Sequence, residues 1–541
     1  MWQQNYTPVA DSIALSTLVA AIPIFVLLFL LGVLRKPAWL AALAGLAATI
    51  LVAGAVYRMP AGVMLSSIGY GAAFGLFPIG WVVFCAILLY RVTLESGKFD
   101  ILKDSIGHLT GDARLQVLLI AFSFGAFIEG AAGFGTPVAV SAAMLAGLGF
   151  SPFYAAAVCL LANTAPVAFG SLAVPITTLA VTTGLPIDRL SAGVGRICAP
   201  ISLIIPAYII IVMGGWKSLR AVFPAAAVCG IAFAATQFAI SNFVGATLTD
   251  ILASLTAMGA LVILLQVWKP TDEFRFEEEH HTARELVRHS GSAVAQAWLP
   301  YGLLVVLILL WGYKPLQVHL NSVTRVFAWP GLHNLVQRVP PVVGQASPYG
   351  AMYTFNWLSA AGTACLIAAI LGALVSGLSV RQFGKVFVHT VRQLILAELT
   401  YAAVLGLAFL MNYCGATGTL GLAFAATGAL FPIFSSLLGW LGVFLTGSDT
   451  SANALFGTLQ VVTAGKLGLS PVLMASANSA GGVMGKMISL ASIAVAAAAT
   501  NMKPEDEGRL FRFTLKHSVI LALAIGVVTM FYARVAPQLA P

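Results

Sequence analysis

The stretch FLTGSDTSANALFG, residues 444–457, sets Ser448, Asp449, Thr450, Ser451 and Asn453 within a single helical turn and a half of one another. Hydroxyl and carboxamide donors at that spacing can hold a carboxylate ionised. The same order, Asp among hydroxyls, is also a favourable helix start. A second acid, Glu129, stands in FIEGAAGFGTP, residues 127–137, with Thr136 close behind. It is the one charge in Leu115–Ile187, 73 residues long. Gln393–Met502 spans 110 residues and carries four charges: Glu398, Asp449, Lys466 and Lys486. A carboxylate isolated at bilayer depth costs roughly 2.5–3.5 kcal/mol on insertion scales, so it must be paired, protonated or hydrated. Glu129 and Asp449 therefore read as proton-coupling candidates. The alternatives are a helix–helix salt bridge for Glu129 and a helix cap for Asp449. Lys486, in GGVMGKMIS, offers an ammonium to either acid or to an anionic solute, or else snorkels to an interface.

A nine-residue echo adds the remaining polar candidates. ANTAPVAFG at 162–170 matches ANSAGGVMG at 477–485 in its Ala, Asn, hydroxyl, Ala and final Gly. Each copy follows a Ser-Pro helix start, at Ser151-Pro152 and Ser470-Pro471, and each lies beyond a Gly-rich break. Asn163 and Thr164, with Asn478 and Ser479, thus read as repeated polar pairs that orient a small solute. Their bland role is interhelical packing. Together with Thr136, Ser448, Thr450, Asn453 and Lys486 they make up the expected substrate-binding set. Duplicated halves with interrupted helices mark secondary transporters, whose sites form where helices break at membrane depth.

The elements that position these residues follow from composition. Of 541 residues 60% are hydrophobic and only 9% charged, against about 25% charged in soluble domains. Ser12–Leu34, Ala38–Tyr57, Gly71–Tyr90, Ile197–Trp216, Ala221–Thr249, Ile251–Trp268 and Gln296–Tyr313 contain no Asp, Glu, Lys or Arg. Such stretches suit membrane helices of roughly 20 residues, not barrel strands with their period of two. The expected fold is an all-α polytopic membrane protein of roughly 12–14 transmembrane helices, built as two inverted repeats with broken helices and hairpins. Its halves are 1–268 and 296–541, joined by a cytoplasmic loop at 269–295. Within KPTDEFRFEEEHHTARELVRH, at 269–289, His280 and His281 read as part of a solvated charge run rather than a metal site. The connector at 314–356 reads as an external amphipathic segment with turns.

Arg35 and Lys36 follow the first apolar stretch, while the first twelve residues hold no Lys or Arg. By the positive-inside rule the N-terminus faces outward. The net charge of +9 is dispersed, which argues against a nucleic-acid partner. Six cysteines stand apart without a CxxC pair, so neither a disulfide framework nor a metal cluster is expected. Glu398 shares a helix face with Tyr401 and reads as a helix–helix contact, Arg196 as interfacial, Lys466 as a loop charge. HExxH, Walker A and GxSxG sequences are absent. The chain reads as no enzyme and needs no cofactor.

In GAFIEGAAGFGTPVAVSAAMLAGLGF, ANTAPVAFG, GWLGVFLTGSDTSANALFG, GGVMGKMIS, LFRFTLKHS and the opening WQQNY, the chain resembles the L-lactate permease family of bacterial inner-membrane transporters. The resemblance runs over nearly the whole length. It implies secondary active uptake of L-lactate, with D-lactate, glycolate and related 2-hydroxymonocarboxylates, by proton symport. The partners are then the monocarboxylate, the proton and the bilayer, with the chain a monomer or homodimer. Sodium coupling and a passive anion channel are the alternatives. The resemblance also implies that ANTAP and ANSAG form hairpin-tip motifs in an inverted pair, moving as an elevator. At Leu490-Ala491 the chain departs from the Pro-Gln common in the family. Loss of that proline is expected to leave the helix after Lys486 less broken.

Overall fold

The computed structural model describes residues 1–133, 135–274 and 287–540, the side chain of Pro504 excepted. The reading of His280 and His281 lies outside them. Among the described residues 11 helices are long and apolar enough to cross a membrane, or up to 12 if a bent pair counts as one span. The lower figure has a physical cause. Part of the Gly/Ala-rich sequence forms segments that enter without crossing: the helix Thr136–Gly147 has 12 residues, about 18 Å of rise against a core of about 30 Å.

Each half contains a hairpin followed by a broken helix. In the first, a fully buried run Ala113–Ala131 turns at Gly133 and Gly135 (φ 66° and 79°) into Thr136–Gly147. Those angles are open to glycine at little cost. Ser151 then caps Pro152–Ala162, accepting from the Tyr154 amide. The chain breaks at Asn163–Pro166 and resumes through Val167–Thr183, bent by 66°. In the second half Phe431–Thr446 turns at Gly447 (φ 72°) into Asp449–Leu467. Ser470 caps Pro471–Lys486, accepting from the Leu473 amide. The chain breaks again before Leu490–Ala499. Both Ser-Pro pairs are therefore true N-caps, with Pro in the first turn where no donor is lost.

The two hairpins open at opposite ends of the bundle. The run Ala61–Glu95 marks those ends. Near its start the Ser66 hydroxyl donates to the Pro330 carbonyl at 2.5 Å, beside two small sheets. Trp2–Gln3 and Ser347–Tyr349 flank Val336–Arg338, and Arg325–Ala328 pairs with Met352–Phe355. Past the run's other end lie Lys98 and Lys103. The open end of the first hairpin, Gly147 and Leu148, borders a cavity with Lys103. The open end of the second places Lys466 in a cavity with Tyr6 and Val339 of the sheet end. The repeats are inverted.

The 314–356 connector, expected as an amphipathic segment with turns, supplies four of the five strands among the described residues. The helix after Lys486, without Pro at 490, is less broken than its counterpart in the first half: Pro471–Ala499 forms one span, whereas Pro152–Ala162 and Val167–Thr183 are bent by 66°. Residues 487–489 leave the helix, and Ser489 starts the next one by accepting from the Ser492 amide. A side-chain cap does there what proline does elsewhere, which is to favour a fresh start over continuation.

Candidate functional site

Asp449 opens its helix at the tip of the second hairpin, with Ser448 as N-cap accepting from the Ser451 amide at 3.3 Å. Both readings of Asp449 thus apply to one place: it lies in a capped first turn, and it is 3% exposed. Its Oδ2 accepts from the Ser479 hydroxyl at 2.6 Å and from Asn453 Nδ2 at 3.2 Å. Asn453 Nδ2 also approaches Ser479 Oγ at 3.1 Å and the Pro175 carbonyl at 3.2 Å. Asn478 Nδ2 donates to Asn453 Oδ1 at 2.9 Å, and Gln460 Nε2 donates to Asn478 Oδ1 at 3.0 Å. Asp449, Asn453, Asn478, Ser479 and Gln460 form one network, which reaches the first repeat at Pro175. Asp449 Oδ1 is buried without a partner. A Cβ on Gly482 would run into it, so that position must stay bare.

The echo is not symmetric in space. Asn163 caps the end of Pro152–Ala162, at a true break. Asn478 and Ser479 lie inside Pro471–Lys486. The ANSAG copy is therefore not a tip, contrary to the sequence expectation. ANTAP holds a proline that ends the helix. ANSAG instead has Gly481, against the Ser436 carbonyl. Close packing on Phe431–Thr446 keeps that helix continuous.

Glu129 sits two residues before the end of the first buried run and is 5% exposed. Its neighbour Asn163 has both carboxamide atoms buried without hydrogen bonds, as is Glu129 Oε2. A Cβ on Gly170 would lie 2.6 Å from Glu129 Oε1. Directly after Gly170, Ser171, Leu172 and Ala173 all adopt left-handed angles, with φ of 46°, 56° and 62°. Such a turn costs about 1–2 kcal/mol per residue, and strain of this kind concentrates at functional sites. The Ser171 hydroxyl holds it by donating to the Ala132 carbonyl at 2.6 Å.

Lys486 donates to the Gly447 carbonyl at 2.6 Å, where the C-terminal end of Phe431–Thr446 favours a cation. The ammonium is within electrostatic reach of both Glu129 and Asp449, and no ion pair to either forms among the described residues. A cavity of about 810 Å³ reaches Gly447 and Ala491, with Arg35 and Lys36 at its rim. Thr136 heads its helix on the side of Leu490–Ala499, half-buried. Thr164 donates to its own helix at the Leu161 carbonyl, 2.7 Å away. Glu398 packs against Gly80, which has no room for a side chain. Arg196 donates to Asn242 and to the Leu539 carbonyl.

Sequence reasoning missed Gln460, the left-handed turn, Asp250 and Gln237, whose Nε2 donates to the Ala165 carbonyl at 3.1 Å beside the first break. Asp250 is 1% exposed, and both its oxygens lack hydrogen bonds. It lies within electrostatic reach of Glu129. Its signal was available: Asp250 is the one charge between Arg220 and Lys269.

Inverted hairpins and broken helices that enclose a buried polar network define a multi-pass membrane permease. A family model described as L-lactate permease matches residues 16–536, and the chain belongs to that family. It is 44% identical to the L-lactate permease of Bacillus subtilis over 564 residues, covering 100% of each chain. It is 43% identical to the glycolate permease GlcA of Escherichia coli, covering 99% of this chain and 98% of that one. Among solved structures, Neisseria gonorrhoeae MtrF, described with a class of antimetabolite efflux pumps, aligns with a TM-score of 0.46 and 14% identity. That alignment covers 87% of this chain and 83% of the other. It is a distant likeness, and nothing below rests on it.

Proposed function

We propose that the protein takes up L-lactate, and with it glycolate and D-lactate, by proton symport across the bacterial inner membrane. The names of its full-length relatives supply the substrate class. The observation that supports the coupling is the charge balance of the core. Glu129, Asp449 and Asp250 bring three carboxyl groups to a buried region, with Lys486 in reach of Glu129 and Asp449. A 2-hydroxy acid adds a further negative charge. In a medium of low dielectric that addition is strongly opposed unless a positive charge enters with it. A proton does this and makes the step electroneutral, removing a cost of about 2.3 kcal/mol per 100 mV.

In this reading Lys486 receives the substrate carboxylate when it leaves the Gly447 carbonyl. Asn163, with its unused donor and acceptor, reads the hydroxyl. Asn478, Ser479 and Asn453 hold Asp449 in place, while Ser448, Thr450 and Thr136 line the hairpin tips. Glu129 and Asp449 are the proton-coupling acids. The basic end, with Arg35 and Lys36, faces the cytoplasm, which puts the N-terminus and the sheets in the periplasm. The test is uptake of labelled L-lactate into proteoliposomes under an imposed pH or sodium gradient. Accumulation driven by the pH gradient is expected. Accumulation driven by sodium alone removes the proton. Flux that equilibrates without accumulating under either gradient leaves a channel.

A further inference from the structure

Asp250 counts in that charge balance but is given no proton to carry, yet its surroundings are those of a working acid. It begins the helix Thr249–Val267. That helix packs on Gly125–Ala131 so closely that a Cβ on Gly130 would lie 2.8 Å from Asp250 Cβ and 3.1 Å from the Ile251 nitrogen. Glu129 is the preceding residue. Asp250 Oδ1, Asp250 Oδ2 and Glu129 Oε2 are all buried without a hydrogen-bond partner. No Lys, Arg or His forms an ion pair with either acid among the described residues. The remaining ionisable groups that face the pair are Cys198, on Ile187–Phe243, and Lys486.

Two neighbouring carboxylates buried out of water and without an ion-pair partner cannot both stay ionised. The favourable field at a helix N-terminus, about 0.3–1 kcal/mol, is too small to offset the several kcal/mol that burying one bare charge costs. One proton therefore belongs to the pair. Asn163 points the same way: it is 4% exposed, lies beside Glu129, and has both a free donor and a free acceptor. It can donate to an ionised Glu129 or accept from a protonated one.

The pair also has an orientation. Thr249–Val267 runs toward the basic end, where Arg114 pairs with Asp112 and Asp272. Asp250 is thus at the end of its helix away from the basic end, as Glu129 is in Ala113–Ala131, and it stands three residues from the half-buried Thr247.

We propose that Asp250 and Glu129 hold the symported proton as one unit, with Asp250 passing it to Glu129 from the sheet end. In the transfer the O–H bond on Asp250 breaks as that on Glu129 forms. Asp250 regains a proton from water at the surface. This rests on the proton-symport reading, and the experiment separates the two.

Labelled L-lactate is measured in proteoliposomes at an inside-alkaline gradient of one pH unit, alongside counterflow without a gradient. At one proton per substrate the wild-type protein sustains up to about tenfold accumulation. If the wild-type protein shows none, the symport reading itself fails. Given wild-type accumulation, Asp250→Asn is expected to bring the endpoint ratio to about one while counterflow remains measurable, and Asp250→Glu to keep most of the accumulation. An Asp250→Asn protein that accumulates like wild type overturns the proposal. So does loss of counterflow in both variants, which would make Asp250 a packing or substrate residue. If Asp250→Asn does not fold, the pH midpoint of uptake by Asp250→Glu decides. A shift of about 0.4 units or more, the gap between the free acids, supports the proposal; an unmoved midpoint overturns it.

Discussion

Gly170 tests whether the position of the Glu129 carboxyl governs transport. Its φ of −61° and ψ of 155° suit any residue, so Gly170→Ala introduces no backbone conflict. The added methyl carbon would lie 2.6 Å from Glu129 Oε1, 3.2 Å from Cγ and 3.3 Å from Cδ, where ordinary contact begins at 3.4 Å. The carboxyl must retreat by about 0.8 Å, the difference between 3.4 and 2.6 Å. Overpacking of this kind costs about 1–3 kcal/mol. If the cost falls on the transport step, uptake slows roughly 5- to 150-fold. Gly147→Ala is the matched control, because its Cβ meets nothing within 4 Å. That variant is expected to transport normally and to gain about 0.5–1 kcal/mol in helix stability. Initial uptake rates are normalised to the protein in the membrane, and thermal unfolding is followed in detergent. In a Glu129→Ala background the clash is gone, so Gly170→Ala should no longer lower the unfolding temperature. Wild-type uptake and stability in Gly170→Ala, or a penalty that persists without Glu129, would refute the reasoning.

Four further outcomes are expected. Ser479→Ala removes the 2.6 Å donor to Asp449, a charge-assisted bond worth about 1.5–3 kcal/mol; kcat/KM for L-lactate should fall roughly 10- to 150-fold, and an unchanged value would free Asp449 from any role. Lys486→Gln keeps a donor for Gly447 but removes the charge, so KM should rise by about tenfold or more, with little change expected only if the substrate carboxylate binds elsewhere. Ala173→Gly relieves one left-handed residue (φ 62°) while deleting a single methyl; it should stabilise the protein by about 1 kcal/mol, seen as a higher unfolding temperature. At the sheet end, burial pushes Tyr6 and Tyr353 up to about 12 from 10.0. Their neutral forms therefore support the fold fully below pH 10, and that support is lost as the pH rises toward 12; thermal stability that is flat across this window would contradict the assignment.

Much of the architecture was legible because lipid imposes one rule on every residue. Long uncharged stretches must be helices, since the backbone finds no other partners there. The Ser-Pro caps, the glycine turns at Gly133, Gly135 and Gly447, and the placing of Glu129 and Asp449 beside the breaks follow from local chemistry that a sequence carries in full. Asp250 was equally visible as a lone charge. A carboxylate in a helix's first turn is ordinary, however, and only its packing on Gly130 shows that this one is buried beside Glu129.

Other features depended on groups far apart in the chain. Helix continuity through Asn478 is set by contacts with Ser436 and Gly439 on a neighbouring helix, which no nine-residue pattern encodes. The left-handed turn at Ser171–Ala173 contradicts local preference and stands because the Ala132 carbonyl and its packed surroundings hold it. The sequence by itself determined a polytopic helical chain, two broken repeats and the acids at their breaks, because hydropathy and capping are local. Only the tertiary structure decided that Asp449 is held by Ser479, that Lys486 is held by Gly447 and that Asp250 packs on Gly130, beside Glu129. Burial and hydrogen bonding are properties of a packed whole, and they are what turn a polar residue into a site.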